Sequence, residues 1–99
     1  MAKHPIEIHP EAAQEARAAR AWYAERSPNA ARAFDEELDD AIRLIRENPQ
    51  RWPEYIRGTR RFRLDHFPFL VVYRQLPDRV RVMAVAHAHR RTGYWRKRT

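Results

Sequence analysis

The second half of the sequence carries side chains that could bind and cleave an RNA phosphodiester without a metal ion. That reaction needs one group to take the 2′-OH proton, one to protonate the leaving 5′-oxygen, and cations to stabilise the added phosphate charge. Histidine exchanges protons near neutral pH, so His87 could act as base or acid, and Tyr94 follows it closely. The arginines that could hold a nucleic acid or another target are Arg61, Arg63, Arg74, Arg81, Arg90 and Arg91.

The uneven distribution of charge supports this emphasis on the second half. The 99 residues carry a formal net charge of +7, with 20 Lys+Arg against 13 Asp+Glu. Residues 1–50 contain 7 basic and 10 acidic side chains, whereas residues 51–99 contain 13 basic and 3 acidic ones. The strongly basic second half indicates that the partner is a nucleic acid or an acidic protein. A basic surface that only keeps the protein soluble is the plain alternative.

Composition excludes several other classes of protein. There are no cysteines, so a disulfide framework and thiolate chemistry are excluded. The 43% of hydrophobic residues is too high for a disordered chain, and the length predicts a single domain over residues 1–99. The longest apolar run, Phe67–Tyr73, is far shorter than the roughly 20 residues of a membrane helix. The N-terminus lacks the apolar core of a secretory signal, so we expect a cytoplasmic protein.

Two helices are predicted in the first half. Apolar residues recur at helical spacing from Ala12 to Tyr23, which indicates a helix over about residues 10–26. Ser27-Pro28 is typical of an N-cap followed by a first-turn proline, and Asn48-Pro49 marks the end of the second helix. The apolar stripe of this second helix consists of Phe34, Leu38, Ala41, Ile42 and Ile45. Because only a turn separates the helices, they should form an antiparallel hairpin.

The rest of the sequence predicts strands. We expect a short strand over Pro5–His9, then three antiparallel strands over Arg60–Asp65, Phe69–Gln75 and Arg79–Ala86. In the last strand, strict alternation would place Val80, Val82, Ala84 and Ala86 on one face, and Arg79, Arg81, Met83, Val85 and His87 on the other. The predicted fold class is α+β, in the order β-α-α-β-β-β. The helical hairpin should cover one face of a small, mainly antiparallel sheet and leave arginines on the other face.

This order resembles the RelE/ParE superfamily of type II toxin–antitoxin toxins, and two local strings carry the resemblance. Residues 60–74 read RR-F-x-L-x-x-FPF-x-V-x-YR, and residues 87–95 read H-x-H-RR-x-G-YW. The resemblance extends over almost the whole chain. It implies a growth-inhibiting toxin neutralised by a small cognate antitoxin, which in this class is acidic and amphipathic. ParE-like members inhibit DNA gyrase, whereas RelE-like members cleave messenger RNA on the ribosome.

The resemblance implies site residues only for the RelE-like alternative. The catalytic positions would be His87, Tyr94, Arg91 and Arg61, with Arg63 beside them. Arginine is a poor proton shuttle, so acid–base work would rest on His87 or Tyr94. The scarcity of lysine and the GYW ending favour a ParE-like toxin that acts on gyrase or by another non-hydrolytic route. A ribosome-dependent, metal-independent endoribonuclease is the alternative, and a plain nucleic-acid-binding module is the third hypothesis.

Other residues have simpler interpretations. His87 and His89 could hold a metal ion with His66, but such sites need tighter ligand sets, so we expect no metal and no cofactor. His4 and His9 are expected at the surface. Trp22 and Tyr23 are both expected in the core because they end the apolar stripe of the first helix.

Overall fold

Two helices form an antiparallel hairpin, as the sequence predicts. In the computed structural model, which describes residues 4–99, α1 covers Pro10–Arg26 and α2 covers Pro28–Glu47. Ser27 ends α1 and caps α2, since its hydroxyl accepts a hydrogen bond from the Ala30 amide at 3.2 Å. The predicted stripe of α2 faces the core, and Phe34 and Ile45 are fully buried.

The N-terminus of α1 is capped by a residue that we expected at the surface. The side chain of His9 is buried, and its Nδ1 accepts a hydrogen bond from the Glu11 amide at 3.0 Å. The His9 amide also donates to the Val82 carbonyl at 2.9 Å, which joins the start of α1 to the sheet. The surface prediction for His9 is therefore wrong, since the histidine supplies the cap that helix N-termini need.

Within residues 4–99, four strands form one mixed sheet. They are β1 (Ile6–Ile8), β2 (Arg60–Arg63), β3 (Phe69–Gln75) and β4 (Val80–His87), in the spatial order β1-β4-β3-β2. The three later strands pair antiparallel, and β1 pairs parallel with β4. The observed β-α-α-β-β-β order confirms the predicted fold class. The ends differ by a residue or two: β1 and β2 are shorter than expected, and β4 begins and ends one residue later.

A β-bulge in β4 reverses the predicted faces of its second half. Val72 pairs with Ala84 while Tyr73 pairs with Val82, so Met83 is the extra residue. An inserted residue changes the parity of every side chain after it. Val85 therefore joins the core beneath the helices, with Val80 and Val82. Ala84 and Ala86 lie on the opposite face with Met83, which corrects the strict alternation expected from sequence.

The sheet face opposite the helices is covered, not left open with arginines. A second cluster forms there from Val72, Met83, Ala84, Ala86 and Trp95, with Tyr55, Leu70 and Tyr94 packed against it. The Trp95 side chain, from beyond the last strand, is only 1% exposed. The expectation of an open arginine face is wrong because the C-terminal residues fold back over this face.

Candidate functional site

The C-terminal segment, residues 88–99, returns from the end of β4 across the sheet. Gly93 has a φ of +80°, a left-handed conformation that glycine adopts without strain, and this turns the chain toward the core. Trp95 then fills the space over Ala84 and Ala86. The turn and the buried indole together position Tyr94 and Arg98 against α1 and β4.

Glu15 of α1 joins this segment to the rest of the fold. Its Oε2 accepts a hydrogen bond from the Tyr94 hydroxyl at 2.5 Å and one from Arg98 Nη2 at 2.9 Å. Its Oε1 accepts from Arg98 Nη1 at 2.9 Å and from the Val85 amide at 3.0 Å. Arg98 Nη1 also donates to the Met83 carbonyl, the residue at the bulge, at 3.0 Å. One carboxylate therefore fixes a helix, a strand and the C-terminal segment.

These contacts move the pKa values of both partners. Burial alone raises the pKa of Glu15, but the hydrogen bonds from Arg98, Tyr94 and the Val85 amide outweigh it, so the pKa is lowered. Burial, and then the hydrogen bond to Glu15, raises the pKa of Tyr94 well above its ordinary value of 10. The Tyr94 hydroxyl therefore keeps its proton at physiological pH and directs it to Glu15.

A groove separates the exposed side of α1 from the ends of β3 and β4, and we call it the α1 groove. Its volume is about 460 Å³, and its lining is mainly apolar. The residues that define it are Ala18, Ala19, Trp22, Phe69, His87 and Arg90, with Glu15 and Tyr94 at one end. The Trp22 side chain is 51% exposed, so the prediction that it belongs to the core is wrong. Tyr23 does pack in the core, stacked on Phe34 with ring centroids 5.5 Å apart.

A second groove, the arginine groove, lies beside β2. It measures about 530 Å³ and is lined by Trp52, Pro53, Tyr55, Arg61, Arg63, Leu70 and Ala88. The Arg61 guanidinium lies 5.0 Å from the centroid of the Tyr55 ring. Trp52 packs edge-on against Phe62 at 4.4 Å between centroids, which closes the loop over the sheet edge. Paired cationic and aromatic side chains give this groove the chemistry to bind an anionic or planar group.

Comparison with known proteins identifies the fold. The family model described as the ParE toxin of the type II toxin–antitoxin system parDE matches residues 6–92. The chain belongs to the ParE toxin family. A solved structure, titled a chromosomal ParDE TA system from P. aeruginosa, has the same fold, with a TM-score of 0.76 and 14% sequence identity. The alignment covers 88% of this chain and 98% of that one. No curated protein sequence gives a significant match.

The family defines the role of this protein as the toxin component of a type II toxin–antitoxin system. Such a toxin has a cognate antitoxin as its partner. None of the helices within residues 4–99 is long and apolar enough to cross a membrane. The same residues contain no group of three or more side chains that could hold a metal ion.

In this ParE-family structure the predicted catalytic residues are distributed over two grooves. His87 and Tyr94 line the α1 groove, whereas Arg61 lines the arginine groove. Exposed Arg91 lies between them, beside a cavity of about 20 Å³ that His87 and Tyr94 also line. The His87 ring packs edge-on against Phe69, and its Nδ1 accepts a hydrogen bond from the His89 amide at 3.1 Å. The roles of these residues stay predictions.

The predicted target-binding arginines differ in their availability. Arg63 and Arg91 are exposed, and Arg90 is 55% exposed with its guanidinium 3.9 Å from the centroid of the Tyr94 ring. Arg74 donates to the Arg57 carbonyl at 3.0 Å, and Arg81 lies 3.3 Å from Glu7 and donates to Thr99. Arg74 and Arg81 therefore have structural partners on the covered face of the sheet.

Two of the residues that hold the C-terminal segment in place, Glu15 and Arg98, were not singled out from the sequence. Glu15 is one of several acidic and polar residues in an alanine-rich helix, and Arg98 is one of five lysines and arginines in the C-terminal segment. Its position in the helix could have indicated a buried role for Glu15. It follows buried Ala12 by three residues and precedes buried Ala19 by four, so it lies on the same face of the helix. A carboxylate on that stripe must find a partner when the helix packs.

Proposed function

We propose that this toxin stops growth by a non-hydrolytic route, with DNA gyrase as its target, and that it acts in the cytoplasm. The observation that carries the proposal is that the Tyr94 hydroxyl is committed to a hydrogen bond with Glu15. Its hydroxyl donates to Glu15 at 2.5 Å and its pKa is raised, so it is a poor proton shuttle. Of the two predicted acid–base groups near Arg91, only His87 then remains for proton transfer.

The distribution of the predicted catalytic groups over two grooves also supports this route. A nuclease needs its proton-transfer groups and its phosphate-binding cations around one reacting phosphate. Here Arg61 and Arg63 line the arginine groove, while His87 and Tyr94 line the α1 groove. The proposal assigns the exposed arginines around Arg90 and Arg91 to target binding, because arginine makes strong contacts with carboxylates and phosphates.

We also propose that the cognate antitoxin is acidic. The toxin carries a net charge of +7, and most of its basic residues lie in the second half. An acidic segment laid on this half would neutralise the exposed arginines and bind quickly through long-range attraction. The neutralised complex would then keep the arginines from the target.

Two assays test the target. We expect the purified chain to inhibit DNA supercoiling by gyrase, and Arg91→Ala to weaken that inhibition. Arg32→Ala is the matched control, since Arg32 is an exposed arginine of α2. Primer extension on a messenger RNA in cell-free translation should show an intact message. Codon-phased cuts that disappear with His87→Ala would overturn the proposal in favour of the ribonuclease alternative.

A further inference from the structure

We propose that Tyr94 is a positioning residue that presents Arg90 to the target of this toxin. In this arrangement the Tyr94 ring supports the guanidinium of Arg90, and the free donors of Arg90 bind a carboxylate or a phosphate of the target. The inference rests on the proposed function in one respect, which is that exposed Arg90 takes part in target binding. It gives Tyr94 a role that needs no proton transfer.

Two guanidinium groups lie close to the Tyr94 ring. The Arg90 guanidinium is 3.9 Å from the ring centroid, and the Arg98 guanidinium is 5.1 Å from it. A cation over an aromatic ring is attracted by the negative charge of the ring face. The Arg98 side chain is only 10% exposed, whereas that of Arg90 is 55% exposed. Arg98 therefore serves the fold, and of the two arginines only Arg90 is available to a partner.

The ring that supports Arg90 is itself fixed at both ends. The Tyr94 hydroxyl donates to the Glu15 carboxylate at 2.5 Å. Gly93 turns the backbone just before Tyr94, and the next residue, Trp95, is buried. A cation that rests on a fixed ring loses less conformational freedom when it binds a partner, so this support favours binding.

Arg90 keeps its hydrogen-bond donors free while it rests on the ring. Its Nη1 lies 3.8 Å from Glu15 Oε2, which is too long for a hydrogen bond. The Glu15 carboxylate is already occupied by Tyr94, Arg98 and the Val85 amide. A guanidinium carries five N–H donors, and two of them can bind one carboxylate or phosphate in parallel. The arrangement therefore supplies a supported cation for a planar anionic group.

A purely structural role for Tyr94 gives a different expectation. In that case the loss of Tyr94 weakens the toxin by destabilising the fold, and the effect is the same whether or not Arg90 is present. If Tyr94 acts through Arg90, its loss has no further effect once Arg90 has been removed. A double-mutant cycle separates these two possibilities.

Growth arrest on induced expression and inhibition of gyrase supercoiling both measure the effect. We expect Tyr94→Leu, which removes the ring, to weaken inhibition by about 5-fold, which corresponds to about 1 kcal/mol for one cation–π contact. Tyr94→Phe, which keeps the ring without the hydroxyl, should retain most of the inhibition. In an Arg90→Ala background, Tyr94→Leu should cause no further loss. Arg32→Ala is the matched control for Arg90→Ala, since Arg32 is an exposed arginine of α2.

A spectroscopic readout on the free chain does not depend on any target. The ring current of Tyr94 should shift the NMR signals of the Arg90 side-chain protons upfield, and Arg90→Ala identifies those signals by their loss. The shift should persist in Tyr94→Phe and disappear in Tyr94→Leu. Wild-type signals at the ordinary position of a solvated arginine would overturn the inference, even if Tyr94→Leu fails to fold.

The outcomes distinguish this inference from the proposed function. Additive losses in the double variant, or equal inhibition by Tyr94→Leu and Tyr94→Phe, would overturn the positioning role and leave the proposed target intact. A wild-type chain that arrests growth without inhibiting gyrase would instead refute the proposed target. The growth comparison then decides the positioning role by itself.

Discussion

Glu15→Gln tests whether one carboxylate holds the C-terminal segment in place. The substitution keeps the size of the side chain but removes its charge. The wild-type carboxylate accepts two hydrogen bonds from Arg98 and one from Tyr94 while its side chain is only 15% exposed. The amide also puts an NH₂ group where two acceptor positions are needed, so at least one donor loses its partner.

The expected loss of stability follows from the type of bond removed. A hydrogen bond to a charged group contributes about 1.5–3 kcal/mol, compared with about 0.5–1.5 kcal/mol for a neutral one. Three bonds that lose the negative charge of their acceptor, with one donor left unpaired, predict a loss of about 3 kcal/mol in the free energy of unfolding. For a chain of this length, that loss should lower the melting temperature by about 10–20 °C.

The pH dependence gives a sharper test of the same reasoning. Because the pKa of Glu15 is lowered in the folded protein, its contribution is complete above the ordinary value of 4.5. The contribution is lost as the pH falls through the folded pKa, since the unfolded chain then binds the proton more readily. The stability difference between the wild type and Glu15→Gln should therefore be full at pH 7 and should shrink below pH 4.5.

Urea unfolding across pH 3–7 measures both effects. Glu11→Gln is the control on the same helix, because its carboxylate is 65% exposed and lies 3.8 Å from the same Arg98. It should change the free energy of unfolding by less than about 0.5 kcal/mol. A Glu15→Gln protein as stable as the control, or a difference that does not shrink in acid, would refute the account of Glu15.

Four further substitutions test the packing and the turns. Tyr73→Phe should lower the free energy of unfolding by about 1–2 kcal/mol, because the buried Tyr73 hydroxyl donates to the Pro49 carbonyl at 2.6 Å. Tyr23→Phe is the control in urea unfolding. Equal stability of the two variants would contradict the role given to the Tyr73 hydroxyl. Gly93→Ala and Gly58→Ala should each lower the free energy of unfolding by about 1 kcal/mol, because alanine is strained at their φ values of +80° and +72°. Differential scanning calorimetry measures this loss, and an unchanged melting temperature would contradict the strain. Phe34→Ala should lower the free energy of unfolding by about 3–5 kcal/mol, because Phe34 is fully buried. A loss below 1 kcal/mol in urea unfolding would show that the core repacks around the smaller side chain.

The helices could be predicted closely because their ends depend on local chemistry. Pro10, Ser27-Pro28 and Asn48-Pro49 are start and stop signals that act through neighbouring backbone groups, and the observed ends agree with them. The centre of the sheet was predictable for a similar reason, since β3 is a long apolar run with turn residues on both sides. In each case the relevant information lies within a few residues.

The features that were missed depend on residues far apart in the chain. Strict alternation in β4 fits the residues from Val80 to His87, and only pairing with β3 shows that Met83 is an inserted residue. Glu15 meets Tyr94 and Arg98 from 79 and 83 residues away. Trp22 was expected in the core because the sequence does not show that the α1 groove beside it stays open. Such long-range contacts cannot be deduced from spacing alone.

The parallel pairing of β1 with β4 determines when the sheet can be completed. The ribosome makes β1 well before β4, the strand with which it pairs: Ile6 pairs with Val80 and Ile8 with Val82. At about 5–20 residues per second, the ribosome needs several seconds to make the intervening chain. During that time the apolar residues of the two helices have no complete sheet to cover them. We therefore expect the nascent chain to be vulnerable to aggregation until β4 has emerged.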